Sequence, residues 1–154
     1  MTKTGLAVLA LLLWGITMNE KQTRGIRNNN PLNIRKGENW LGLVGDDGAF
    51  AQFETPEHGI RAGARILRTY RNKYGLNSVH AIINRFAPPS ENNTTSYIDH
   101  AAAFVGVGRY EPLLESDYPR LIEVMIKHEN GVQPYTEKQI LNGFNWGFYD
   151  EQIS

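Results

Sequence analysis

The chain has no cysteine, which excludes disulfides, thiolate metal sites and a cysteine nucleophile. It has no excess charge of either sign. With 16 Lys and Arg against 16 Asp and Glu, nothing in the net charge points to a nucleic-acid partner or to an acidic substrate. The four histidines, at 58, 80, 100 and 128, lack metal-ligand spacing, and neither a metal nor a cofactor is expected. There are no repeats and no low-complexity tracts. What remains is 154 residues, 41% of them hydrophobic, enough for one core and one domain.

One long apolar run is present, at the N-terminus. Lys3 is the only charged residue among the first eighteen, and Gly5 to Met18 is apolar apart from Thr17. As a helix those fourteen residues would reach about 21 Å, short of a hydrocarbon core about 30 Å thick. The basic start and apolar middle read as an export signal, and Gly15-Ile16-Thr17 is a weak cleavage site. The expectation is therefore an N-terminal apolar helix over 1–19, retained as a membrane tether, followed by a folded domain over 20–154.

That domain reads as mainly α with a small β-hairpin. Lys21 to Asn39 is polar, rich in Asn, Arg and Gly, and broken by Pro31, so it reads as an ordered loop. Trp40–Val44 and Ala49–Phe53 flank Gly45-Asp46-Asp47-Gly48, a hairpin signal. Helical patterning follows. Thr55-Pro56 opens a stripe of Ile60, Ala64, Leu67, Tyr70 and Tyr74 that stops at Gly75. Val79–Phe86 and Tyr97–Val105 carry two more helices, Tyr118–Glu129 another, and Thr136 with Gln139 is a capping box opening the last. The basic face formed by Arg61, Arg65, Arg68 and Arg71 or Lys73 is an ordinary solvated face or, functionally, an attraction to an anionic wall polymer.

Glu129 breaks the pattern of its helix. At 100° per residue it lies within 20° of Ile122, so its carboxyl shares the core-facing side with Met125 and Ile126. Burial disfavours the charged form and raises a carboxyl pKa, which suits a general acid. Other acids compete. Glu38 and Asp47 have the spacing of a phage lysozyme pattern, Glu-x8-Asp-x5-Thr, but Phe53 stands where the Thr is required. Glu54, between strand and helix, either favours the helix N-terminus electrostatically or serves as a second carboxylate.

Three stretches carry a family resemblance. Asn28-Asn29-Asn30-Pro31-Leu32-Asn33-Ile34-Arg35, then Trp40-Leu41-Gly42, then Phe53–Ile60 resembles the Asn-Asn loop and hairpin of bacterial and phage glucosaminidases and lytic transglycosylases of lysozyme-like fold. Phe86-Ala87-Pro88-Pro89-Ser90 with Tyr97-Ile98 is similar to their Tyr-Asn-Ala-Gly-Pro segment, without its Asn and Gly, and Glu129-Asn130-Gly131 with Pro134 to their Glu-Ser-Gly-x-x-Pro helix end. In those enzymes the catalytic glutamate precedes the loop. Here it follows by about a hundred residues, which implies a circularly permuted lysozyme-like domain.

The resemblance implies cleavage of the β-1,4 bond between N-acetylmuramic acid and N-acetylglucosamine in peptidoglycan, by a muramidase or a lytic transglycosylase. Glu129 would be the general acid and Glu54 any second carboxylate. Asn28, Asn29 and Asn30 would line the saccharide groove or hold its loop, and Tyr97 would touch substrate. With the apolar N-terminus it further implies a phage endolysin of the signal-arrest-release type. Such a protein is tethered to the host inner membrane through residues 5–18, then freed into the periplasm to act on glycan strands during lysis. A non-enzymatic virion structural or wall-binding protein of the same fold is the alternative.

Overall fold

The computed structural model describes residues 21–151. A short helix α1 (Arg24–Arg27) leads into the Asn-rich loop, which crosses to strands β1 (Leu43–Asp46) and β2 (Ala51–Phe53). Five longer helices follow: α2 (Pro56–Tyr74), α3 (Val79–Phe86), α4 (Thr94–Val105), α5 (Tyr118–Asn130), preceded by a 3-10 turn at Glu115–Asp117, and α6 (Glu137–Tyr149).

Each start has a local cause. Thr55, Ser78, Asn93 and Thr136 each accept a hydrogen bond from a first-turn amide, at His58, Ala81, Ser96 and Gln139. Asp117, just before α5, makes no side-chain cap and accepts from the Leu114 amide at 2.8 Å, closing the 3-10 turn. The α5 helix ends at Gly131, whose φ of 74° is left-handed backbone. The strands pair antiparallel, with a bulge between Leu43 and Gly45 that leaves Val44 66% exposed.

The centre of the core is α5. Leu121, Ile122, Met125 and Ile126 are inaccessible to solvent, in one buried cluster with Leu67, Ile82, Ile83 and Tyr97. Against this, α2 and α6 lie together because glycines let their backbones approach. A Cβ on Gly147 would fall 2.3 Å from the Arg61 carbonyl oxygen, and one on Gly143 would fall 2.6 Å from Ile60 Cγ2. Phe144, Phe148 and Tyr118 fill the adjoining volume, their ring centroids 4.9 to 6.4 Å apart.

Much of the basic face of α2 is paired within the chain. Arg65 and Arg68 meet Asp150, and Arg71 binds Glu115 at 2.8 Å. Arg61 instead lies over the Trp146 ring, 5.4 Å from its centroid.

The mainly helical fold with one hairpin is as expected; the N-terminal apolar helix is not. No helix among the described residues is long and apolar enough to cross a membrane, and residues 5–18, on which the tether rested, lie outside the described residues. Inner-membrane tethering and later release to the periplasm are corrected accordingly. The physical reason lies in the described helices themselves. The longest described helix, α2, buries only one face and carries arginines on the other.

The α2–α6 contact yields a stability prediction. Gly147→Ala should lower the urea midpoint by an amount equivalent to roughly 1–3 kcal/mol, with an unchanged denaturant slope, because backbone rather than a flexible side chain must move. An unchanged midpoint would show that the helices are not in backbone contact.

Candidate functional site

The loop after α1 is fixed by its own amides. Asn30 is fully buried, donating to the Ile34 and Ala51 carbonyls at 2.9 Å each and accepting from the Ile34 amide at 2.9 Å. Asn28 donates to Asp47 at 2.8 Å and accepts from Gln52 at 3.3 Å, while Asn29 donates to the carbonyls of Phe53 and Glu54. These three side chains hold the loop to the hairpin. Asp47 is part of the same fastening. Hydrogen bonds from the Phe50 amide, the Asn28 side chain and the Ala49 amide hold its carboxyl down to about 2.

The loop also reaches the end of α5. Asn130 donates to the Pro31 carbonyl at 2.7 Å and to the Ile126 carbonyl at 2.9 Å, and its own oxygen accepts from Thr23 at 2.9 Å. Gly25 is needed beneath this junction, since a Cβ there would lie 2.5 Å from Asn130 Oδ1 and 2.9 Å from Asn33 Oδ1. Asn33, at a φ of 51°, then turns its amide toward Glu129, 3.3 Å from Oε2 and 3.5 Å from the backbone oxygen.

Glu129 therefore stands where the late helix end meets the early loop. It lines a cleft of about 510 Å³ whose other walls include Asn33, Arg35, Phe50, Tyr70, Glu91 and Asn92. No cation pairs with it among the described residues. Burial pushes its carboxyl above the ordinary glutamate value, and the Asn33 hydrogen bond only partly opposes this. Tyr97 stacks on His128 with centroids 3.6 Å apart. Its buried hydroxyl has no partner among the described residues, and burial and then the Glu129 charge push its pKa well up, so it stays a neutral phenol.

The site differs in membership from the sequence expectation. Glu54 is exposed and does not line the cleft. The acid that shares the cleft with Glu129 is Glu91, in the α3–α4 loop, held by Arg35 at 3.2 Å. Sequence reasoning passed over Glu91, Asn33 and Phe50. Asn33 sits within the Asn-rich motif, where its spacing could have nominated it. No periodicity marks Glu91, which reaches the cleft only because Pro88-Pro89 ends α3 and turns the chain.

No family model matches the chain. Over 149 residues it is 48% identical to Protein P5 of Pseudoalteromonas phage PM2, an alignment covering 93% of this chain and 92% of that protein. The chain belongs to the Protein P5 family. Membership in the Protein P5 family bears out the bacteriophage origin expected from the sequence. The name Protein P5 states no activity, so any chemistry must be argued from the cleft.

The raised carboxyl has a consequence for stability. A group with a raised folded-state pKa contributes most below its unfolded value, and that contribution is lost as pH rises through the folded one. Glu129→Gln, which never ionises, should thus be more stable than the parent at pH 7. The gain should shrink as pH falls through the raised folded-state value and be gone below 4.5, the ordinary glutamate value. Urea denaturation across pH 3–8 measures it; a gain independent of pH would show that Glu129 ionises as freely in the fold as in water.

Proposed function

We propose that the protein cleaves the β-1,4 bond between N-acetylmuramic acid and N-acetylglucosamine in peptidoglycan, with Glu129 as general acid, so that a phage can open its host's wall. One observation carries this reading: a half-buried carboxyl with a raised pKa and no cationic partner among the described residues, oriented by Asn33 at the wall of an open cleft. The resemblance of the Asn-rich loop and the Glu-Asn-Gly helix end to wall-cleaving enzymes of lysozyme-like fold supports the choice of substrate.

In this mechanism protonated Glu129 gives its proton to the glycosidic oxygen as the bond to C1 breaks. The ring left behind takes on oxocarbenium character, and the Glu129 carboxylate that remains opposes its charge. A hydrolase then adds water at C1, activated by a carboxylate or following a glycosyl-enzyme intermediate. Glu91, which lines the same cleft, would take such a part. A lytic transglycosylase needs no second acid, because Glu129 takes back a proton from the sugar's own 6-hydroxyl as that oxygen closes on C1. The presence of Glu91 in the cleft favours the hydrolase.

Purified protein incubated with isolated peptidoglycan tests the assignment. Glycan strands should be cut, leaving reducing ends if the hydrolase reading is right and 1,6-anhydromuramic ends if the transglycosylase one is. Glu129→Gln should lose about 10²–10⁴-fold of the rate, the usual contribution of a general acid. Full activity in that variant would overturn the role of Glu129. No cleavage by the parent protein would favour a virion structural or wall-binding role.

A further inference from the structure

A second cavity, of about 300 Å³, adjoins the cleft, and Asn92 lines both. Its walls come from His80 and Asn84 on α3, from the loop and first turn of α4 between Pro89 and Thr95, and from Arg109 and Tyr110. Tyr110 is 69% exposed, an unusual position for a large ring, yet it is held in place. Its ring lies 4.6 Å from that of His80, and the His80 amide donates to the Arg109 carbonyl at 2.9 Å, pinning the loop to α3. One face of His80 is thus covered while much of the phenol remains open.

The lining is selective in its chemistry. Arg109 is paired with Asp99, so the arginine of the cavity is neutralised and gives no strong attraction to an anion. Asn84 donates to the His80 ring at 3.0 Å, with its amide oxygen left over, and Asn93 caps α4 through its oxygen, with its amide nitrogen left over. Asn92 and the exposed Thr95 add further neutral donors and acceptors. An aromatic plate beside neutral amides and a hydroxyl suits a pyranose, which offers an apolar ring face and a rim of hydroxyl and N-acetyl groups.

We propose that this cavity is a sugar-binding subsite. It holds an N-acetylhexosamine of the same strand whose scissile bond lies at Glu129, with Tyr110 stacked on the pyranose and Asn92 spanning the two cavities. The assignment rests on the glycan reading above. It adds that affinity for long strands is set away from the reacting bond.

The probe is soluble peptidoglycan glycan strands freed of stem peptides. Binding is measured on the full chain carrying Glu129→Gln, with and without Tyr110→Ala, and cleavage is measured on the parent and on Tyr110→Ala alone. Loss of the ring should weaken binding about tenfold, and Tyr110→Trp should restore it. In cleavage the effect should fall on KM more than kcat, and should vanish on fragments too short to reach beyond the cleft. The exposure of Tyr110 makes loss of folding an inadequate explanation, which a parental urea midpoint confirms. Equal affinity with and without Tyr110 overturns the subsite and leaves the Glu129 reading standing. Tyr110-dependent binding without cleavage upholds the subsite and overturns the catalytic reading, and absence of binding overturns both.

Discussion

The buried amide of Asn130 is the contact on which the rest of the site depends. It joins the last turn of α5 to Pro31 and Thr23, roughly a hundred residues earlier in the chain. Leaving one such buried group unpaired costs about 1–3 kcal/mol, and here one side chain satisfies three partners at once. Gly25 lets the helix before the loop approach that amide, and Gly131 ends α5 directly after it. Only with the junction closed does Asn33 face Glu129, and only then do the loop and α5 become two walls of one cleft.

Environment sorts the carboxylates that flank this junction. Asp47 receives hydrogen bonds from two backbone amides and from Asn28, so the charged form is favoured and its carboxyl titrates near 2. Glu129 has one long hydrogen bond and is largely withdrawn from water, so the neutral form gains. The first arrangement fixes a turn. The second leaves a proton available at the edge of a cleft, and the separation of the two roles follows from what surrounds each acid rather than from the residue type.

Helices α2 to α6 were readable in the sequence because each carries an apolar stripe and most carry a cap of known chemistry. Thr55-Pro56, Thr136 with Gln139, and the glycine at 75 mark boundaries within a residue or two of those observed. The Glu129 side chain was legible for the same reason, since 20° of helical phase separates it from Ile122. What could not be read was long-range. Arg24–Arg27 is too short to show a period, and the meeting of Asn130 with Pro31 depends on how α5 docks. Glu91 enters the cleft through a turn that no local pattern specifies. The Asn triplet was legible as something specific, and its hydrogen bonds make it the frame of the loop. The apolar start of the chain invited a membrane reading that the described helices do not support.

The fold keeps the Glu129 carboxyl protonated to higher pH than water would. Titrating that carboxyl directly, by the side-chain carbon shift of selectively labelled protein compared with Glu129→Gln, measures it without reference to any substrate. The midpoint should lie above 4.5 and move higher still in Asn33→Gly, which removes the opposing hydrogen bond while tolerating the left-handed backbone at that position. A midpoint at or below 4.5, unmoved by the Asn33 substitution, would contradict it.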